Sequence, residues 1–136
     1  MRATGFRDGR GLLVQERADG GWAMPGGWAD VGEAPSRVTA RAVLEESGIE
    51  VTVGRLIAVH DANGRPGVRL QFHHAYTFVF LCNLMGGEVC PSDETEVVGF
   101  FDLEHLPVLS EYRTSRRMIE EAFAHAANAD LPTVFD

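Results

Sequence analysis

Hydrophobic and polar positions change period several times along this chain, and each change marks an element. Phe6 and the run Leu12, Leu13 and Val14 flank Asp8-Gly9, a pair that favours a tight hairpin turn, so the chain is expected to open in sheet. Between 20 and 32, glycines and Pro25 gather around Trp22 and Trp28, which predicts loop. The period then becomes helical: Pro35 suits a first turn and Gly48 the residue just past the last. Residues 51–60 and 70–84 read as strands, the second carrying Phe72, Tyr76, Phe78 and Phe80 at even spacing. Gly86-Gly87 is expected to break it. A short strand over 97–101 and a helical turn over 103–106 follow. An amphipathic helix over 110–127 comes next, with Ser110 as its cap and Met118, Ile119, Ala122 and Phe123 on its apolar face. Strands around one central helix, with a second helix near the end, predict an α/β fold with a mixed sheet between helices. Neither repeat nor linker interrupts the pattern, so 1–136 is read as one domain.

Composition narrows the partners. The chain is 45% hydrophobic and 24% charged, as in ordinary globular proteins. A formal net charge of −8 argues against a nucleic acid polymer, whose binding rests on neutralising phosphates with basic residues. A small anionic substrate stays compatible if a divalent metal cancels charge locally. Every basic residue is Arg. Cys82 and Cys90 have neither metal-ligand nor redox spacing. No apolar run reaches the ~18 residues needed to span a bilayer, and a signal-peptide core is missing. The expectation is a soluble, cytoplasmic protein without a membrane partner. A chain that begins in strand is open to two readings, a lost preceding segment or a natural start at Met1.

The helix between Pro35 and Gly48 carries the chemistry. At ~100° per residue, Arg41, Ala42, Glu45 and Glu46 share one face, with Ala40, Val43, Leu44 and Ser47 on the expected core side. Glu45 and Glu46 also lie near Glu33 and the glycine loop. Packed like charges are unfavourable without a cation, and oxygen-only ligands suit Mg²⁺ or Mn²⁺ better than Zn²⁺. The bland alternative is a solvated acidic face with an Arg41–Glu45 ion pair worth a few tenths of a kcal/mol.

Gly27, Glu33, Arg41, Val43, Glu45, Glu46, Gly48 and Ile49 stand in a register that resembles the Nudix box, G-x5-E-x7-R-E-U-x-E-E-x-G-U with U aliphatic. The resemblance implies a Nudix-type α/β/α sandwich and Mg²⁺-dependent hydrolysis of a diphosphate, with Mn²⁺ able to substitute. It implies that Gly26 and Gly27 let the backbone approach a substrate beside Trp28. By position, Glu45 and Glu46 match the principal metal ligands, Glu33 an acid that joins them, and Arg41 the residue that orients the neighbouring Glu. A further acid is expected from the segment 92–96, with Glu94 preferred to Glu96. The implied reaction releases a nucleoside monophosphate and a phosphorylated second group.

Ala42 departs from the box, which has Glu there. Three readings follow: another group (Glu46, Glu94, His60 or His73) has taken over, the residue is an engineered knock-out, or the domain binds a nucleotide without hydrolysing it. Segments outside the box, among them GGWAMPGGWADVGE and GRLIAVHD, are similar to bacterial proteins labelled ADP-ribose pyrophosphatase-like, which include CDP-choline pyrophosphatases. Members often carry an extra helical N-terminal domain, for which 136 residues leave no room. Sanitation of nucleoside triphosphates is a further enzymatic reading, and a homodimer is common in the family. Trp22, Trp28, Phe72 and Tyr76 are candidates for stacking on a base, although core packing explains large aromatics more simply. His73 and His74, adjacent in a strand, point to opposite faces and cannot form a joint metal pair. Arg69 and Arg113 read as surface residues by default.

Overall fold

The computed structural model describes residues 1–64 and 74–136. Asp8 and Gly9 both adopt positive φ (52° and 76°), the backbone of a tight hairpin turn, and join β2 (Phe6–Arg7) to β3 (Arg10–Glu16). The central β3 pairs antiparallel with β2 and β4 (Trp22–Ala23) on one edge and with β7 (Thr95–Phe101) on the other. A second sheet has the order β1 (Arg2–Thr4), β6 (Tyr76–Gly87), β5 (Ile49–Asp61), β8 (Val134–Phe135). It is mixed, because β1 runs parallel to β6 and β8 parallel to β5, while β5 and β6 form a long antiparallel pair.

Two helices cover this framework. Successive residues of β3 feed different cores, as the strand alternation requires. Leu12 packs with Ala3, Val43 of α1 (Pro35–Ser47), Ile49 and Cys82. Leu13 packs with Met24, Ile57, Val79 and the α2 residues (Arg116–Ala127) Met118, Ile119 and Ala122. Strands between two helix-lined cores are the expected α/β sandwich.

Local chemistry explains where α1 stops and starts. Pro35 occupies the first turn, where its missing N–H breaks no bond, and Gly48 takes φ 76° and donates to the Leu44 carbonyl. One expectation is refined and one fails. β6 ends at Gly87, but pairing continues through both glycines, Gly86 with Glu50 and Gly87 with Ile49. A Cβ at Gly87 would collide with the Gly48 carbonyl, so glycine permits close strand pairing at the last residue of β6. The last helix begins at Arg116, and Ser115, not Ser110, accepts from the Met118 amide at 3.4 Å. Ser110 is drawn away by Asp19, to which its hydroxyl donates at 2.7 Å. The turn expected at 103–106 is a short 3₁₀ turn, Leu103–His105. Among the described residues no helix is long and apolar enough to cross a membrane.

Candidate functional site

The face of α1 that meets the sheet differs from the helical-wheel reading. Val38, Thr39, Ala42, Val43, Glu46 and Ser47 are buried, whereas Leu44 is 48% exposed and Glu45 points outward. Packing against β5 and β1 sets this face, and the apolar character of Leu44 does not override it. Ala42 and Glu46, one turn apart, therefore lie at the boundary between core and cleft.

Glu46 is held from two sides. Its Oε2 accepts from the Gly26 amide at 3.0 Å, and its backbone carbonyl accepts from the Thr95 hydroxyl at 2.6 Å. Only 7% of the residue is exposed. Burial pushes its carboxyl up to about 7, with Glu16 and Glu94 adding repulsion against the opposing pull of the Gly26 bond and Arg2. The loop that supplies the Gly26 amide is fixed in turn. Ala3 donates to the Pro25 carbonyl, Gly27 donates to the Met1 carbonyl, and a side chain at Gly26 would collide with that same carbonyl.

Arg41 organises the other acids. Its Nε and Nη2 form a fork on Glu33 at 3.0 and 2.8 Å, and its Nη1 reaches Glu45 at 3.3 Å. Glu33 also accepts from the Asp30 amide at 3.0 Å. The Arg41 bonds hold the Glu33 carboxyl below its ordinary range, and Glu33 raises the Arg41 guanidinium.

These elements frame a cleft of about 850 Å³. Arg41, Ala42, Glu45 and Glu46 line one side, and Gly26, Gly27 and Trp28 line the adjoining loop. Asp93 and Glu94 close another side; Glu33 and Glu96 are not among the lining residues. The structure thus brings Glu45, Glu46 and Glu94 to one cleft and leaves Glu33 engaged with Arg41. Among the described residues no three acidic, His or Cys groups lie close enough to form a ready-made metal cluster.

Three further lining residues were missed or discounted in the sequence. Glu16 is buried in the cleft, its carboxyl raised by burial and opposed by Arg113, whose Nε lies 3.7 Å away. Its signal was present: Leu12, Val14 and Glu16 occupy alternate, buried positions of β3. Arg113 and Tyr112 join the cleft from the loop before α2. Tyr76 lines it too, whereas Trp22 packs edge-on against Phe101 at 4.7 Å and does not. His60 is absent from the cleft, buried between Glu121 (2.7 Å) and Asp136 (3.5 Å). Arg69, Phe72 and His73 lie outside the described residues.

Known proteins share this architecture. The family model described as NUDIX domain matches residues 3–122. YjhB of Bacillus subtilis (strain 168), whose name gives ADP-ribose pyrophosphatase as a provisional assignment, is 30% identical over 136 residues. That alignment covers all of this chain and 65% of YjhB, so the chain spans just under two-thirds of that relative. The crystal structure of an ADP-ribose pyrophosphatase from Streptococcus suis 89-1591 superposes with a TM-score of 0.87 at 34% identity, covering 99% of this chain and 96% of that one. The crystal structure of a UDP-X diphosphatase gives the same TM-score at 32% identity, covering 99% of this chain and 64% of its own.

Proposed function

The chain belongs to the NUDIX family, and from that premise we propose that it hydrolyses a nucleoside diphosphate joined to a second group. Water oxygen attacks one phosphorus, the bridging P–O bond breaks, and the released phosphate keeps the bridging oxygen. The products are a nucleoside monophosphate and the phosphorylated second group. An ADP-ribose-like or CDP-choline-like substrate fits this reading; the names ADP-ribose pyrophosphatase and UDP-X diphosphatase of the similar proteins support the nucleoside diphosphate class and the ADP-ribose case. The observation that carries it is Glu46, a buried carboxylate fixed by the Gly26 amide in a cleft shared with Glu45 and Glu94.

Members of the family generally use a divalent metal, and we assign Mg²⁺, with Mn²⁺ as substitute. The donor chemistry fits. The lining acids offer oxygen only, and Glu46 carries a charge that burial and two like neighbours disfavour and that a cation would restore. Glu45, Glu46 and Glu94 would hold the ion, which when bound polarises phosphoryl oxygens and activates water. The chain's own groups prepare the rest. Gly26 fixes one oxygen of Glu46, whose Oε1 makes no hydrogen bond among the described residues. Arg41 sets the orientation of Glu45 while its fork on Glu33 anchors the loop. Gly27 leaves space facing Ala42, and Trp28, 71% exposed, offers a ring at the mouth.

Ala42 favours a second reading, a domain that binds nucleotides without turnover, because a methyl group neither ligates nor accepts a proton. A panel of nucleoside diphosphate derivatives with Mg²⁺ or Mn²⁺ separates the two. Nucleoside monophosphate among the products supports hydrolysis, inorganic pyrophosphate from triphosphates indicates sanitation instead, and calorimetric binding without product indicates the binding domain.

A further inference from the structure

Arg113 is a guanidinium with donors to spare in a place where few are wasted. Its side chain is 19% exposed. Nη1 donates to Asp19 at 3.2 Å and to Ser110 at 3.0 Å, and Nε faces Glu16 at 3.7 Å. Nη2, with two protons, has no partner among the described residues, although the residue lines the cleft that holds Glu46 and Glu94. The guanidinium also lies over the ring of Tyr112, 4.3 Å from its centroid, and Tyr112, 52% exposed as a residue, lines the same cleft. Asp19 and Ser110 brace the guanidinium, and the tyrosine ring lies against it. An arginine fixed on three sides, with its remaining donors at a cleft, is built to accept oxygen atoms from a ligand.

We propose that Tyr112 and Arg113 form a binding subsite for a phosphate monoester that carries a ring, with Nη2 donating to phosphoryl oxygen and the exposed part of Tyr112 packing on the ring. The proposal rests on the hydrolase reading for its ligand class, since both products of that reaction have this chemistry. It places one product half on the side of the cleft where Arg113 meets Glu16. The two sources are the nucleoside monophosphate and the sugar phosphate, and the test distinguishes them.

Binding of AMP and of ribose 5-phosphate to the full chain is measured by calorimetry in Ca²⁺. The wild-type protein is compared with Tyr112→Leu, which removes the aromatic ring, and Arg113→Lys, which keeps the charge beside Glu16 and Asp19 but removes the fork. Thermal melting confirms that each variant is folded. Both substitutions are expected to weaken one of the two esters by roughly tenfold, the scale of a partly desolvated aromatic or forked contact. The other ester should change less than twofold, and the ester affected identifies the half that is bound. Unchanged affinity for both esters in both folded variants, or no binding of either ester to the wild-type protein at millimolar concentration, overturns the subsite. Turnover of ADP-ribose with Mg²⁺ is followed in parallel: turnover by wild-type protein with unaltered ester binding in the variants rejects the subsite alone. Altered ester binding without turnover of any nucleoside diphosphate derivative rejects the hydrolase reading alone.

Discussion

Two buried ionisable constellations lie on different faces of this protein, and they are built to opposite rules. Around the α2 face, His60 is bracketed by Glu121 at 2.7 Å and Asp136 at 3.5 Å. Arg117 ties both acids together at 2.8 and 3.3 Å, and Asp136 also accepts from the Asp61 amide. Each group there has a counterpart. In the cleft beside α1, Glu46 is almost as buried as His60, but among the described residues its carboxylate accepts from one backbone amide, and the pull of Arg2 is set against two acidic neighbours, Glu16 and Glu94. Paired burial fastens strands to a helix, whereas burial without enough positive charge, at an open cleft, stores an affinity for a cation.

Replacing Glu46 is the sharpest way to break this contrast. Glu46→Gln should lower kcat for a nucleoside diphosphate substrate by at least ~10²-fold, the scale of a lost positioned base or ligand. The folded protein should survive the change without metal. The sign follows from the carboxyl, raised in the folded state from 4.5 to about 7. Folding then favours the protonated form, so Glu46 does not oppose stability below pH 4.5 and opposes it fully above about pH 7. The loss across that window is roughly 3 kcal/mol in metal-free protein. Glu16, also raised by burial, acts in the same direction. Melting temperatures recorded in chelator should fall from pH 4.5 to pH 7, and Glu46→Gln should flatten most of that slope. A slope unchanged by the substitution would remove Glu46 from the explanation.

Restoring an acid at position 42 probes the same site from the other direction. Ala42 lines the cleft, faces Gly27 and precedes Glu46 by one turn. Ala42→Glu should raise kcat with Mg²⁺ at least ~10-fold if position 42 lacks a ligand or base, within the range of such groups. Because like charges one turn apart repel, the variant should melt lower than wild type in chelator and recover with Mg²⁺. An unchanged rate in an already active protein would reject that role for position 42.

The same contrast explains how much of the site is legible in the sequence. Pro35 and Gly48 are local signals, and the helix ends follow from them, whereas the sequence placed Glu33 among the metal ligands and the structure has it on the Arg41 fork. Orientation was harder. The sheet, not the polarity of individual residues, turns Ala42 and Glu46 inward and Leu44 outward. The alternation of β3 marks Glu16 as inward-facing, but that it faces the cleft depends on pairing of β3 with β7, where its partner Thr95 lies about eighty positions later. Tyr112 and Arg113 come to the cleft through the bridge of Leu109 to Trp22 and the Ser110–Asp19 bond, and no periodicity reports such contacts. His60 looked like a spare base only until its two carboxylate partners, 61 and 76 residues away, were in place.

On the paired side the expected effects are smaller and affect stability alone. His60→Leu removes two contacts to carboxylates and should lower stability by about 2 kcal/mol, the scale of hydrogen bonds to charged groups. Arg117 still holds Glu121, which limits the damage. Because the residue is outside the cleft, kcat should stay within about twofold of wild type, whereas losing a positioned base costs ~10²-fold or more. A large fall in kcat with an unchanged melting temperature would erase the distinction between the two constellations.

The smallest effect separates two serines that look alike in sequence. Ser115 caps α2, and Ser115→Ala should lower stability by about 1 kcal/mol, with faster hydrogen exchange at the Met118 amide. Ser110 bonds to Asp19 and Arg113 instead, so Ser110→Ala should leave that amide protected. It should loosen the Arg113 fork and so weaken phosphate esters at the cleft without shortening the helix. Exchange that accelerates at Met118 in Ser110→Ala and not in Ser115→Ala would reverse the assignment of the cap, and with it the reason Arg113 is held at the cleft.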